Sequence, residues 1–196
     1  MNIGQMQKAL WKAREKEGFS TLLGIGPMSP MLLQATLELS DEQDFPILFI
    51  ASRNQVDMDK FGGGYVSGWD QARFVKAIED MSRKIGYKSE YFVCRDHGGP
   101  WQRDEERKAR LPEAEAMERG LESYYADLDA GFDLLHIDPT KDPNFSEGTV
   151  PMDLVLNRTV YLIEKVEAYR KAHNLPEIGY EVGTEETNGG LTGVDA

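Results

Sequence analysis

The sequence is poor in cysteine and in long apolar runs. Cys94 is the single cysteine among 196 residues, so no internal disulfide and no cysteine-based zinc site can form. The first residues are polar and run into a charged amphipathic stretch, without the apolar stretch that a signal peptide or a membrane span needs. We therefore expect a cytoplasmic protein with no membrane partner.

Positive charge is also scarce. The chain has 22 Lys and Arg residues against 34 Asp and Glu residues, a formal net charge of −12. Such a surface repels nucleic acid and anionic membranes, so neither is an expected partner. A phosphorylated ligand would need backbone N–H groups or a few basic side chains gathered at one place.

What the sequence has is a repeated alternation of strand and helix patterns. Hydrophobic residues make up 40% of the chain, enough for one sizeable core, and we predict a single domain over residues 1–196. Apolar runs typical of buried strands start near residues 21, 46, 90, 133 and 177, with helical patterns between them. This alternation predicts an α/β fold with a parallel sheet.

Two folds fit this alternation, an open doubly wound sheet and a (β/α)8 barrel. At a repeat of roughly 40 residues, eight units need over ~300 residues, above the ~250 typical of a complete barrel. If the fold is a barrel, the chain holds about five βα units of it. A complete open-sheet binding module stays as the alternative.

Polar residues collect just after the predicted strands, where both folds bind ligands. Asp96 could move a proton, and the adjacent His97 could bind a divalent metal, although the pair could equally cap a loop. His136 lies inside an apolar strand, which is more typical of a satisfied interior histidine. Asp138 follows at the strand tip, a position that favours a function.

The fifth predicted strand ends among further acidic residues. Glu181 and Glu185 flank the start of a Gly-rich loop, where each is either a metal-binding carboxylate or a solvated loop acid. Residues 62–64 form a triple glycine that predicts a turn or a mobile loop. It is a weak phosphate-binding candidate, because it lacks the dinucleotide fingerprint spacing and the phosphate-loop lysine.

Four short motifs follow one another at these strand ends. They are ASRNQVD with FGGGY at residues 51–57 and 61–65, DHGGP at 96–100, LHID at 135–138 and GTE at 183–185. In the same order they resemble NQVNQFGGY, DHLGP, IHLD and GTE of the GatZ/KbaZ family, the so-called non-catalytic subunits of class II tagatose-1,6-bisphosphate aldolase. The resemblance spans nearly the whole chain but only the N-terminal half of the longer family members.

The resemblance implies a TIM-type barrel and a role in galactitol or N-acetylgalactosamine catabolism. It implies a sugar-phosphate ligand and a catalytic aldolase subunit as partner. A partial barrel leaves two open strand edges, so self-association is the other expected partnership. Residues of the first two motif segments are the expected substrate contacts: Ser52, Asn54, Gln55, Gly63 and Tyr65.

Some relatives are described as metal-dependent epimerases acting at carbon 4 of ketohexose phosphates. A divalent cation that polarises the ketone supports retro-aldol cleavage, and re-addition to the other aldehyde face inverts carbon 4. On that hypothesis the cofactor is a divalent metal, zinc first, with His97 and Glu185 as ligands. Asp96 or Asp138 would transfer the proton.

Two functional hypotheses follow from the resemblance. The first is a partner subunit with no turnover of its own, and the second is a metal-dependent aldolase or epimerase. Phosphate sites in such barrels often follow strands seven and eight, which the five predicted units do not include. This argument favours the first hypothesis.

Overall fold

The computed structural model describes residues 2–18, 20–145 and 150–183. In chain order the elements are α1 (Ile3–Glu17), β1 (Leu23–Ile25), α2 (Pro30–Gln43), β2 (Ile47–Ser52), α3 (Gln71–Ile85), β3 (Tyr91–Gly98), α4 (Asp104–Lys108), α5 (Glu113–Ala130), β4 (Leu134–Ile137), α6 (Met152–Ala172) and β5 (Gly179–Val182). Each of the five predicted apolar runs forms a strand.

The five strands form one parallel sheet in the order of the sequence, β1-β2-β3-β4-β5. A doubly wound sheet reverses its strand order at a switch point, whereas consecutive units of a (β/α)8 barrel follow one another around the sheet. The sequential order therefore confirms the prediction of a partial TIM-type barrel with five βα units.

The larger apolar core lies between the sheet and the helices that connect the strands. Phe49, Val93 and Leu135 project from three neighbouring strands into this core. Phe74 of α3 and Leu162 of α6 meet them with fully buried side chains. Because side chains alternate along a strand, the intervening residues face the opposite side of the sheet.

That opposite side, the inner face of the barrel, is covered by α1 at its lower end. Ile3 and Met6 pack with Phe92 and Cys94 in a second buried cluster. Gly179, the first residue of β5, lies against Ile3. The helix therefore seals the N-terminal end of the inner face, while polar residues occupy the carboxyl ends of the strands.

Local sequence signals explain where these helices begin and end. Asn2 and Gln5 form a reciprocal capping box at the start of α1, and Ser29 caps α2 with Pro30 at its first position. Asp70 caps α3 by accepting a hydrogen bond from the backbone N–H of Arg73. Among the described residues, no helix has the length and apolar character needed to cross a bilayer.

Candidate functional site

A row of polar side chains crosses the inner face at the carboxyl ends of the strands. Asp96 follows Phe92 and Cys94 in the inward-facing alternation of β3, and His136 occupies the same face of β4. Ser52 pairs with Asp96 on one side of the row, and Glu181 pairs with His136 on the other. The strand register thus aligns these residues above the apolar layer that α1 covers.

His97 joins the row because β3 is irregular at this point. Consecutive strand residues normally face opposite sides of the sheet. The pairing of β3 with β4 shifts between Arg95 and Gly98, and His97 has a left-handed backbone with φ of 44°. This bulge brings the imidazole of His97 beside that of His136, with ring centroids 4.9 Å apart.

Asp96, His97 and His136 form a cluster suited to a metal ion. Each offers one ligand atom, and these atoms lie within 4.8 Å of one another. Asp96 Oδ1 is 3.6 Å from His97 Nε2 and 4.0 Å from His136 Nδ1. Zinc bonds of ~2.0–2.2 Å in tetrahedral geometry place ligand atoms ~3.3–3.5 Å apart, so the three groups must move closer together for three-point ligation. His136 Nδ1 accepts a hydrogen bond from the backbone N–H of His97 at 3.3 Å and would exchange that bond for the metal.

Asp138 orients His97 for such a role. His97 Nδ1 lies 3.1 Å from Asp138 Oδ2, and the other carboxylate oxygen accepts a hydrogen bond from the backbone N–H of Thr140 at 3.0 Å. Burial alone would raise the pKa of Asp138, but the hydrogen bonds from His97 and Thr140 lower it overall. An ionised Asp138 keeps the proton on Nδ1 of His97, which places the lone pair on Nε2, the nitrogen 3.6 Å from Asp96 Oδ1.

The electrostatics of Asp96 also suit a charged ligand. A hydrogen bond with the neighbouring His136 lowers the pKa of Asp96 against the opposing influence of burial. The Asp96 side chain is 34% exposed and that of His97 is 33% exposed. Both groups can therefore be reached from solvent at the open end of the strands.

Buried polar side chains fix the backbone around the cluster. The Tyr124 hydroxyl donates to the carbonyl oxygen of His136 at 2.9 Å, and Gln102 Nε2 donates to that of Asp138 at 2.9 Å. Arg53 Nη1 donates to the carbonyl oxygen of Gly99 at 2.8 Å. These three contacts hold the segments that carry the candidate metal ligands.

Arg53 itself belongs to a buried ionic network. Its Nε donates to Asp57 at 3.0 Å, and its two Nη atoms donate to the carboxylate of Glu106 at 3.0 and 2.8 Å. Burial opposes ionisation of Asp57, but Arg53 and Arg95 lower the pKa of Asp57 overall. Because these buried side chains bond to one another, the network supports the structure and does not form a ligand-binding surface.

The loop after β2 lines a cavity of about 490 Å³. Four of the expected substrate contacts line it, namely Ser52, Asn54, Gly63 and Tyr65. The fifth, Gln55, instead holds the turn by accepting a hydrogen bond from the backbone N–H of Ser52 at 2.9 Å. A side chain at Gly64 would overlap the carbonyl group of Gln55, which explains why a glycine is required there.

Arg103 lines the same cavity and was not predicted from the sequence. It donates to the carbonyl oxygens of Arg53 at 3.0 Å and Gly63 at 2.9 Å. Its buried Nε has no hydrogen-bond partner among the described residues. The sequence feature that could have indicated Arg103 is a basic residue shortly after the DHGGP motif. That position matters because the loop after β3 reaches the loop after β2.

The structure describes one of the two candidate acidic residues at the end of β5, Glu181. Glu181 is exposed and is the direct cross-strand neighbour of His136. Gly183 must lack a side chain, since a Cβ there would lie 2.3 Å from His136 Nε2. The predicted metal ligand Glu185 lies outside the described residues.

Comparison with known proteins identifies the family of this chain. The family profile described as D-tagatose-1,6-bisphosphate aldolase subunit GatZ/KbaZ-like matches residues 7–193. The chain belongs to this family. The resemblance predicted from the four motifs is thereby confirmed.

GatZ/KbaZ-like relatives are considerably longer than this chain. The D-tagatose-1,6-bisphosphate aldolase subunit GatZ of Klebsiella oxytoca is 30% identical over 161 residues, and that of Salmonella typhimurium is 27% identical over 161 residues. In both cases the match covers 80% of this chain and 35% of the relative. The chain thus corresponds to about a third of these curated relatives.

A solved structure supports the fold. A probable tagatose 6 phosphate kinase from Sinorhizobium meliloti 1021 superimposes with a TM-score of 0.69 at 24% identity. The superposition covers 84% of this chain and 39% of that protein. The five-unit architecture therefore recurs within a larger chain.

Proposed function

We propose that this GatZ/KbaZ-like chain forms the N-terminal part of a subunit of tagatose-1,6-bisphosphate aldolase. It would act beside a catalytic aldolase subunit in the cytoplasmic catabolism of galactitol or N-acetylgalactosamine. The observation that carries this proposal is the family match across residues 7–193. The names of the Klebsiella and Salmonella relatives support it.

The test is an assay of a class II aldolase catalytic subunit with and without the purified chain. We expect the chain alone to release no triose phosphate from tagatose-1,6-bisphosphate. Added in equimolar amount, it should raise the rate or the half-life of the catalytic subunit, whereas an unrelated acidic protein should not. Unchanged rate and half-life would reject the subunit role.

A second candidate function is a metal-dependent aldolase or 4-epimerase acting on a ketohexose phosphate. The cluster of Asp96, His97 and His136, with Asp138 behind His97, favours it. Two imidazoles and a carboxylate are a donor set that suits zinc, with iron(II) as the nearest rival. When bound, the metal would supply a Lewis acid for a substrate carbonyl group.

The geometry suggests how this chain's own residues would divide the work. Asp138 is fully buried, so it would orient His97 rather than touch a substrate. Asp96, with its lowered pKa, would hold the metal beside His97 and His136. Glu181 is exposed beside His136 and would accept the proton of the carbon 4 hydroxyl as the bond between carbons 3 and 4 breaks.

The cavity after β2 would hold the sugar. Ser52 both lines it and neighbours Asp96 in the sheet, so the cavity adjoins the metal cluster. Tyr65 offers a hydroxyl group to sugar hydroxyls, whereas the Asn54 amide already pairs with the backbone and side chain of Asp104 and would position that loop. Arg103 is one cation against the carboxylates of Asp104 and Glu105, so the cavity suits a polyol better than a phosphate.

The test of the second function combines metal analysis with turnover of tagatose-1,6-bisphosphate and fructose 6-phosphate. We expect about one divalent ion per chain and activity that a chelator abolishes. His97→Ala should lose both the metal and activity, whereas Glu181→Gln should keep the metal and lose activity. A metal-free, inactive wild-type chain would reject this function.

A further inference from the structure

The segment that follows His97 has an unusual backbone. The φ angles of His97, Gly99 and Trp101 are 44°, 113° and 55°, all in the left-handed region. Glycine adopts this region readily, whereas a bulky aromatic residue rarely does. Trp101 is fully buried, its indole N–H donates to the carbonyl oxygen of Leu111 at 2.9 Å, and the guanidinium of Arg158 lies 4.9 Å from its ring centroid. Tertiary contacts therefore hold Trp101 in a strained conformation, and strain of this kind clusters at functional sites.

The two residues after Trp101 reach different parts of the site. Gln102 is buried, and its Nε2 donates to the carbonyl oxygen of Asp138 at 2.9 Å. Arg103 is also buried, and its Nη2 donates to the carbonyl oxygen of Gly63 at 2.9 Å. Asp138 contacts the imidazole of His97, whereas Gly63 lines the cavity after β2. Consecutive residues of one anchored segment thus contact the metal cluster on one side and the cavity on the other.

The contact of Gln102 bears on the orientation of His97. Asp138 Oδ2 lies 3.1 Å from His97 Nδ1, and the other carboxylate oxygen accepts a hydrogen bond from the backbone N–H of Thr140 at 3.0 Å. Gln102 adds a contact on the main chain of the same aspartate. Without it the main chain of Asp138 would be freer to shift, and the carboxylate would shift with it. A displaced carboxylate no longer fixes the imidazole of His97, although every metal-ligand atom is still present.

The contacts of Arg103 bear on the wall of the cavity after β2. Gly63 lies in this wall with φ of 67°, and glycine has more alternative conformations than other residues. Arg103 Nη2 fixes the carbonyl oxygen of Gly63, while Nη1 donates to that of Arg53 at 3.0 Å. One buried guanidinium thus joins two separate points of the loop after β2. Without Arg103 the glycine-rich wall would lose a contact that selects its conformation.

We propose that Gln102 and Arg103 are positioning residues with separate tasks at the site. Gln102 holds Asp138 and thereby orients His97 towards a metal ion. Arg103 holds Gly63 and thereby fixes the wall against which a sugar phosphate binds. Both assignments rest on the metal-dependent function proposed above.

A merely structural role of residues 99–103 predicts a different result. If this segment only supported the fold, loss of either contact would loosen the whole segment, because Gln102 and Arg103 are adjacent in the chain. Metal binding and sugar-phosphate binding would then weaken together. Separate tasks predict instead that each substitution weakens the binding of one ligand and spares the other.

The experiment compares Gln102→Met and Arg103→Met with the wild type, because methionine is a long side chain without an N–H donor. Zinc titrated without sugar measures the metal cluster, and fructose 6-phosphate titrated in the presence of a chelator measures the cavity. We expect Gln102→Met to weaken zinc binding about tenfold, the lower end for outer contacts of a metal ligand, and to spare fructose 6-phosphate binding. We expect Arg103→Met to weaken fructose 6-phosphate binding about fivefold, as for a lost hydrogen bond, and to spare zinc binding.

Gln34→Met and Arg83→Met are matched controls on the outer helices. Gln34 bonds to Glu38 within α2, and Arg83 bonds to Asp80 within α3, so both substitutions should leave both affinities unchanged. Urea unfolding establishes that each variant is folded before it is titrated. If a methionine variant does not fold, Gln102→Asn and Arg103→Lys replace the pair. They keep a donor on a shorter side chain and should separate the two affinities with smaller losses.

Separate tasks are overturned if both substitutions weaken the binding of both ligands equally, or if neither changes an affinity. Wild-type binding of zinc and fructose 6-phosphate would in those cases leave the metal-dependent function intact. A wild-type chain that binds zinc but no fructose 6-phosphate would overturn the task assigned to Arg103. A wild-type chain that binds neither probe would reject the metal-dependent function, and both positioning tasks with it.

Discussion

At the scale of single residues, the contact between Asp138 and His97 bears on the proposed metal site. Its carboxylate holds the proton on His97 Nδ1 and is itself fixed by Thr140. Outer carboxylates of this kind typically change metal affinity ~10–100-fold. If His97 binds a metal as proposed, this hydrogen bond makes Asp138 important for binding although Asp138 itself touches no ligand.

We expect Asp138→Asn to weaken zinc binding by about 10–100-fold, because the neutral amide no longer fixes the His97 tautomer. His97→Ala should weaken it further, since a donor atom is lost. Asp129→Asn, an exposed carboxylate that accepts a hydrogen bond from Tyr169, serves as control. Isothermal titration with zinc measures the affinity of each variant. Equal affinities of wild type and Asp138→Asn would contradict the expected role.

The buried carboxylate of Asp57 makes stability depend on pH. Its pKa in the folded chain is lowered from the ordinary value of 3.8, so its contribution to stability is present above that value. That contribution is lost as the pH falls through the lower folded-state pKa. Protonation would leave Arg53 and Arg95 short of a buried counter-charge.

We expect Asp57→Asn to lower the free energy of unfolding by about 3–5 kcal/mol at pH 7, because one partner of a buried ion pair is removed. The difference between variant and wild type should shrink below about pH 4, where Asp57 becomes protonated in the unfolded wild-type chain, and vanish only once the folded carboxylate is protonated too. Urea unfolding at pH 7, 5 and 3 measures this difference. A constant difference at all three values would assign the effect to packing.

At the scale of elements, α5 approaches the loop after β3 closely at a glycine. A Cβ on Gly120 would lie 2.8 Å from the carbonyl carbon of Gly99, within the backbone that follows His97. Gly4 in α1 has no comparable neighbour, since a Cβ there would meet only Asn2 Oδ1 at 3.7 Å. The two helical glycines therefore differ in packing and not in secondary structure.

We expect Gly120→Ala to destabilise the fold by about 1–3 kcal/mol through overpacking. Gly4→Ala should stabilise it by up to about 1 kcal/mol, because alanine is the better helix former. Thermal and urea unfolding of the two variants provide a matched comparison. A stabilising Gly120→Ala would mean that α5 can move away from the loop at little cost.

The elements were largely predictable from the sequence, because buried parallel strands are continuous apolar runs and the first three helices carry side-chain caps. The geometry of the site was harder to predict from the sequence. His97 and Asp96 face the same side only because of a bulge in β3, which depends on cross-strand pairing and a left-handed residue. Arg103 reaches the cavity through a tertiary contact, which periodicity does not reveal.

At the scale of the whole molecule, one apolar layer lies on the outer face of the sheet, and a second apolar layer and a polar layer lie on its inner face. The connecting helices cover the outer face, α1 covers the lower inner face, and the polar row occupies the carboxyl ends of the strands. Cys94 lies in the inner apolar layer beneath α1, where burial raises the pKa of its thiol. Its reactivity therefore reports whether α1 stays in place.

We expect Met6→Asp to increase the rate of Cys94 labelling by Ellman's reagent at least tenfold, because a buried charge would loosen α1 from the sheet. Met6 is 6% exposed and Trp11 is 64% exposed on the same helix. Trp11→Asp introduces the same charge on the solvent side and should leave the rate unchanged. Equal rates for both variants would show that α1 does not protect the thiol.

The sequential strand order also has a consequence during synthesis. Each strand after the first pairs with the strand that precedes it in the chain, so its partner has already left the ribosome when it emerges. The sheet can then grow one unit at a time from the N-terminus, without waiting for a distant segment. Nascent chains truncated after successive units should accordingly gain protease resistance in steps.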